Sequence, residues 1–86
     1  MDINDLIAIV KKKLKNDINI EKINIEDKSF LHKRHLGYQK DKFHLKIQIE
    51  SKELNNLSRI ESNKKIYKLL DEEMKNYIHS LQILIN

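Results

Sequence analysis

The sequence predicts an α+β fold: an α-β-β-α-β sandwich whose three-stranded mixed sheet carries its helices on one face. Three patterns predict it. An apolar stripe of helical spacing opens the chain, and residues 43–50 alternate strictly with period two. A second helical stripe then separates that strand from a final alternating one. Strands in direct succession pair antiparallel, whereas strands joined through a helix run parallel with a right-handed crossover. Packing both helices on one sheet face gives the two layers.

The first helix rests on Ile3, Leu6, Ile7, Val10 and Leu14, spaced as one stripe. Asp2 or Asn4 can cap its start and Asp5 suits its first turn. Lys11, Lys12, Lys13 and Lys15 crowd its end, where cations favour the negative pole of the helix dipole. In "INIEKINIED", Ile18 and Ile20 alternate, then Ile23 and Ile25 alternate in the opposite phase. A turn or bulge near Glu21 and Lys22 explains the slip and places the strand at about 22 to 28. Ser29 to about Lys42 reads as a loop.

"FHLKIQIE" is the clearest strand, with Phe43, Leu45, Ile47 and Ile49 on one face and His44, Lys46, Gln48 and Glu50 on the other. One face is covered and the other is wet or partly covered. A polar turn follows. Ser58 and Glu61 have the spacing of a capping box, and Ile60, Tyr67, Leu70, Met74 and Tyr77 mark the second helical stripe, with Ile66 and Leu69 beside it. Asn76 stops that helix. "HSLQILI" closes the sheet, His79, Leu81, Ile83 and Ile85 sharing one phase.

Eighty-six residues set the expectation of a single domain over 1–86. The chain has no cysteine, which excludes a disulfide framework, a thiol nucleophile and an all-cysteine metal site from this chain alone. An acidic start, Met-Asp-Ile-Asn-Asp, and a longest apolar run of Leu6 to Val10 point to a soluble, cytoplasmic protein that does not enter a membrane. Net charge is +4, which raises nucleic acid as a partner. Yet 15 of the 17 basic residues are lysines in a chain also rich in isoleucine and asparagine. Those three residues share A/T-rich codons, so genome composition is the simpler source of the charge.

The residues offer little for catalysis. A single glycine, Gly37, rules out a dinucleotide loop, a P-loop and a GxxG clamp. Asp71, Glu72 and Glu73 are consecutive on a helix and fan out into solvent. Nothing argues for an enzyme. The histidines are the remaining chemistry. In "FLHKRHLGY", His32 and His35 stand three apart, able to share a site if the loop turns helically or to act separately if it does not. His44, on the polar face of its strand, suits a hydrogen-bonded structural role. The parity of His79 places it with the core, where a buried, hydrogen-bonded ring is the plain expectation.

At this point the chain resembles the BolA family. The resemblance is carried by His44-Leu45, by Ser51-Lys-Glu-Leu54-Asn-Asn56, by Ser62-Asn63-Lys64-Lys-Ile66-Tyr67, by Glu72-Glu73-Met74 and by Ile78-His79-Ser80-Leu81. Upstream, Asp27, Ser29, His32 and His35 match the family's Asp-x-Ser-x-x-His-x-x-His segment. Two places depart. The family's glycine after the second strand is Asn56, which tolerates left-handed backbone. Its Arg-His-Arg has become Ser62-Asn63-Lys64, keeping only the last charge.

The resemblance implies a class II KH-like sandwich without a GxxG loop. It further implies a non-catalytic partner of a monothiol glutaredoxin of the Cys-Gly-Phe-Ser type. The pair would bridge a [2Fe–2S] cluster in iron–sulfur trafficking or iron sensing, shared with glutathione and absent from the isolated chain. The ligands carried over are His79 and His32, with His35 the alternative to His32. Two imidazoles on one iron are a workable set, as Rieske centres show. The family also implies a second role, a DNA-binding transcriptional regulator of stress response or morphology. Its basic second helix here would use Arg59, Lys64, Lys65 and Lys68.

Overall fold

The computed structural model describes residues 1–29 and 42–86. Helix α1 (Ile3–Asp17) leads to strands β1 (Lys22–Asp27) and β2 (Phe43–Glu50). Three helical segments follow, α2 (Lys52–Asn55), α3 (Arg59–Leu69) and α4 (Asp71–Asn76), and strand β3 (Ile78–Ile85) ends the fold. The sheet order is β1-β2-β3, the first pair antiparallel and the second parallel, as the connections predict.

Register explains the core. Ile23, Ile49 and Ile85 form one cross-strand row, Ile25, Ile47 and Ile83 the next, and Leu45 with Leu81 a third. These rows face Leu6, Val10 and Leu14 of α1 and Ile66 and Leu70 of the later helices in one buried cluster. Each fully buried Leu or Ile contributes about 1.5–3 kcal/mol of transfer free energy. The opposite sheet face pairs Lys22 with Glu50, Asn24 with Gln48 and Glu26 with Lys46. Asp2 is the cap of α1, its carboxylate accepting from Asn4 N–H at 2.7 Å. Ile18 caps the C-terminus, so it and Ile20 precede β1, and the phase slip seen in the sequence is the helix-to-strand join.

Several expectations are corrected. The polar turn contains a helical turn, α2, capped by the buried Ser51, whose hydroxyl accepts from Leu54 N–H and donates to Asn19 O. Asn56 is right-handed, with φ −79° and ψ −9°, so no glycine is required there. The second long helix is two, broken at Leu70 (φ −100°, ψ 18°). Its buried stripe runs through Ser62, Ile66, Leu70 and Glu73, while Ile60 is 69% and Tyr67 40% exposed. A purely apolar reading misses a stripe in which two of the four positions are polar. Half of the capping box forms: Ser58 Oγ accepts from Glu61 N–H at 3.1 Å, while the Glu61 carboxylate accepts from the Ser58 hydroxyl at 3.3 Å and not from its backbone N–H.

Glu73 is the other correction. It is 4% exposed, not solvated, and its Oε2 receives Lys13 Nζ at 2.6 Å, while Glu72 stays outside at 3.6 Å from the same ammonium. This pair ties α1 to α4.

Candidate functional site

One end of the sheet collects the chemistry. β1 ends there, β2 and β3 begin there, and the residues that flank the 30–41 connection, Ser29 and Lys42, adjoin them. His32 and His35 both lie in that connection, outside the described residues.

β2 and β3 meet at this end with a shift in register. Phe43 pairs with Ile78, but His44 pairs with Ser80. His79 is therefore the extra residue of a β-bulge, unpaired in the ladder. Its parity with Leu81 is real in the sequence but means nothing across a bulge. Ile78 is buried and His79 exposed, so the expected buried ring is overturned.

His44 is the residue that the spacing of loop histidines could not reveal. It is 5% exposed despite lying on the polar face of β2. Its Nδ1 shares a 2.6 Å hydrogen bond with Ser80 Oγ, and its backbone N–H donates to Ser29 Oγ at 3.1 Å. Lys28 N–H donates in turn to His44 O at 2.7 Å. The start of the connection is thus stitched to His44. The rings of His44 and His79 lie 4.8 Å apart, tilted by 57°. A hydrogen-bonded histidine at 44 is as expected; its place beside His79 needs the register shift and could not be counted off.

The arrangement presents one exposed imidazole, held on a rigid strand end and flanked by a second ring anchored through Ser80. An exposed imidazole nitrogen is a competent ligand for a transition metal. Among the described residues no group of three His, Cys, Asp or Glu side chains could hold a metal. A metal centre here would need donors from the 30–41 connection or from another molecule.

The comparisons with known proteins follow this geometry. The family model described as BolA-like protein matches residues 14–86. The chain belongs to the BolA family. This BolA-like chain is 29% identical over 75 residues to a DNA-binding transcriptional regulator BolA of Haemophilus influenzae, covering 87% of this chain and 70% of that one. It is 28% identical over 78 residues to the chloroplastic protein BOLA1 of Arabidopsis thaliana, covering 87% of this chain but only about half, 49%, of that protein. The solved BolA domain of SufE1 from Arabidopsis thaliana superposes with a TM-score of 0.77 at 25% identity, over 92% of this chain and 87% of that domain.

The basic positions on α3 divide. Lys65 Nζ is engaged by Glu53 at 2.8 Å. Arg59, Lys64 and Lys68 are exposed and have no ion pair among the described residues. Ser62, first of the three residues that replace Arg-His-Arg, is buried and donates to Arg59 O at 3.0 Å. No helix among the described residues is long and apolar enough to cross a membrane.

Proposed function

We propose that this BolA-like chain is the non-catalytic partner of a monothiol glutaredoxin and co-ligates a bridging [2Fe–2S] cluster through His79. The observation that supports it is the bulge, which turns the His79 imidazole outward at the end of the sheet where β1 ends and β2 begins. The donor set fits the group: one iron takes two neutral imidazoles, and sulfur comes from the partner cysteine and glutathione. His79 supplies one imidazole, and His32, or His35 in its place, supplies the second from the connection. His44, fixed by Ser80, packs its ring 4.8 Å from that of His79 and limits its orientation. The cluster would serve iron–sulfur trafficking or iron sensing. The test is an anaerobic titration of a [2Fe–2S] monothiol glutaredoxin with this chain, followed by visible circular dichroism. A new spectrum is expected with wild type, lost in His79→Ala, with His32→Ala and His35→Ala identifying the second ligand. An unchanged glutaredoxin spectrum at excess protein would refute the reading.

A second reading is supported by Arg59, Lys64 and Lys68, exposed and without an ion pair among the described residues, and by the Haemophilus relative's description as DNA-binding. In that role the chain is a transcriptional regulator, with α3 contacting phosphates. Lys64→Glu with Lys68→Glu would then abolish a gel shift whose affinity falls steeply with salt. A gel shift that survives this double variant would refute it.

A further inference from the structure

β3 is an edge strand, and beyond Leu81 its outer edge is open among the described residues. Asn86 N–H donates to Ile49 O of β2, while Leu81 O turns the other way and accepts from Tyr67 Oη at 3.2 Å. Backbone groups alternate sides along a strand. The N–H and C=O of Ile83 and Ile85 therefore point outward, and among the described residues no strand pairs with them. Edges are ordinarily protected by charges or proline. β1 follows that rule with Lys22, Glu26 and Asp27. β3, Ile-His-Ser-Leu-Gln-Ile-Leu-Ile, carries neither.

Beside this open stretch lies a groove of 370 Å³ between β3 and the start of α3, lined by Ile83, Ile85, Leu84, Leu57, Asn63 and Arg59 among others. Arg59 is the only charged residue lining it. Lys64 and Lys68, about 140° and 180° round α3 from Arg59, lie outside the groove. Leu84, 37% exposed, offers an apolar contact on the sheet side.

We propose that the outer edge of β3 at Ile83 to Ile85 accepts an extended acidic peptide from a partner protein as a fourth strand. Unpaired backbone groups recognise another backbone, the groove takes alternate side chains, and Arg59 selects carboxylates. A second copy of this chain is disfavoured, because edge-to-edge pairing about Leu84 would bring the Arg59 guanidiniums of the two copies toward each other. A nucleic acid strand is disfavoured as well: the groove has no aromatic lining for base stacking and a single cation. The site lies about 13–20 Å along β3 from His79 at ~3.3 Å per residue, so it stands independently of the cluster reading.

The test uses an acetylated, amidated pentapeptide of alternating glutamate and valine, titrated into the ¹⁵N-labelled full chain. Amide shifts confined to Ile83, Ile85 and the first turns of α3 are expected, with slowed hydrogen exchange at the Ile83 and Ile85 amides. Affinity should fall about tenfold in Arg59→Glu, rise in Asn63→Arg, and stay unchanged in His79→Ala. A peptide N-methylated at alternate residues should not bind. Equal binding of the N-methylated peptide, or shifts spread over the polar sheet face, would overturn the proposal. So would a pentathymidylate strand that displaces the peptide, or concentration-dependent dimerisation that removes the same signals.

Discussion

Replacing Lys13 with methionine leaves Glu73 without its cation. The carboxylate is 4% exposed, and its Oε1 already has no hydrogen-bond partner among the described residues. Lys13→Met therefore strands both oxygens in the join between α1 and α4. Breaking a fully buried ion pair from one side costs about 3–5 kcal/mol. The Lys13 side chain is 35% exposed, so water screens its end of the pair, and the discounted cost is about 2 kcal/mol. For a domain of this size that lowers Tm by about 8–16 °C. Glu73→Leu should cost less than about 1 kcal/mol, since the freed ammonium turns to water. The double variant should come within about 1 kcal/mol of wild type, because the desolvation penalty disappears with the pair. Urea unfolding of all four proteins at neutral pH measures the cycle. Additive single effects, or a Lys13→Met loss under about 0.5 kcal/mol, would refute the account. The pH dependence has a definite sign. The hydrogen bond that Lys13 donates to Glu73 raises the Lys13 pKa above its ordinary 10.5, against the opposing pull of burial. Its contribution is complete below 10.5 and is lost as pH rises through the elevated folded value.

Ile47→Ala, at the centre of the Ile25–Ile47–Ile83 row, should cost about 2–5 kcal/mol, whereas Ile60→Lys should stay within about 0.5 kcal/mol; denaturant midpoints separate the two. Ser80→Ala removes the hydroxyl that anchors His44 and should cost about 1 kcal/mol, with altered imidazole resonances for both His44 and His79 in NMR. Excising His79 should leave the β2–β3 ladder whole and amide exchange in β3 protected, because a bulge residue is surplus to the pairing. Excising Gln82 instead should turn Ile83 and Ile85 out of the core and unfold the chain. Glu53, whose pKa is lowered chiefly by its hydrogen bond from Lys65, contributes stability above 4.5 that is lost as pH falls through its depressed folded value; acid titration of Lys65→Met against wild type reads it.

The fold was legible wherever a periodicity stayed apolar. Ile47 and its neighbours alternate without interruption, so strand, face and partners could all be read before any coordinates. The α3–α4 stripe was misread because Ser62 and Glu73 occupy buried positions that apolar patterning assigns to solvent: Ser62 donates to the backbone oxygen of Arg59 one turn back, and one oxygen of Glu73 meets Lys13 Nζ sixty residues away. Ile60 and Tyr67 then looked like core by default. α2 was missed for a different reason. Four residues are too few to show a period, and the signal that existed was the cap, Ser51, whose bond to Leu54 N–H is local but whose bond to Asn19 O is not.

The candidate site separates what parity can tell from what it cannot. Counting outward from Leu81 puts His79 in the core, and every residue from Ser80 to Ile85 keeps its counted face. The count fails at one residue, where two positions of β3 oppose one step of β2. An apolar residue there would be driven inward to lengthen the core row. A histidine loses little by remaining in water, and the ladder closes around it without strain on its neighbours. The bulge therefore does what a regular strand cannot: it leaves Ile78 buried in the core and Leu81 packed against it while exposing the side chain between them beside Ser80. In a regular strand a residue between two core positions faces the pleat opposite, where His44 already stands. The extra residue gives this end of the sheet two imidazoles side by side, one packed and hydrogen-bonded, the other presented.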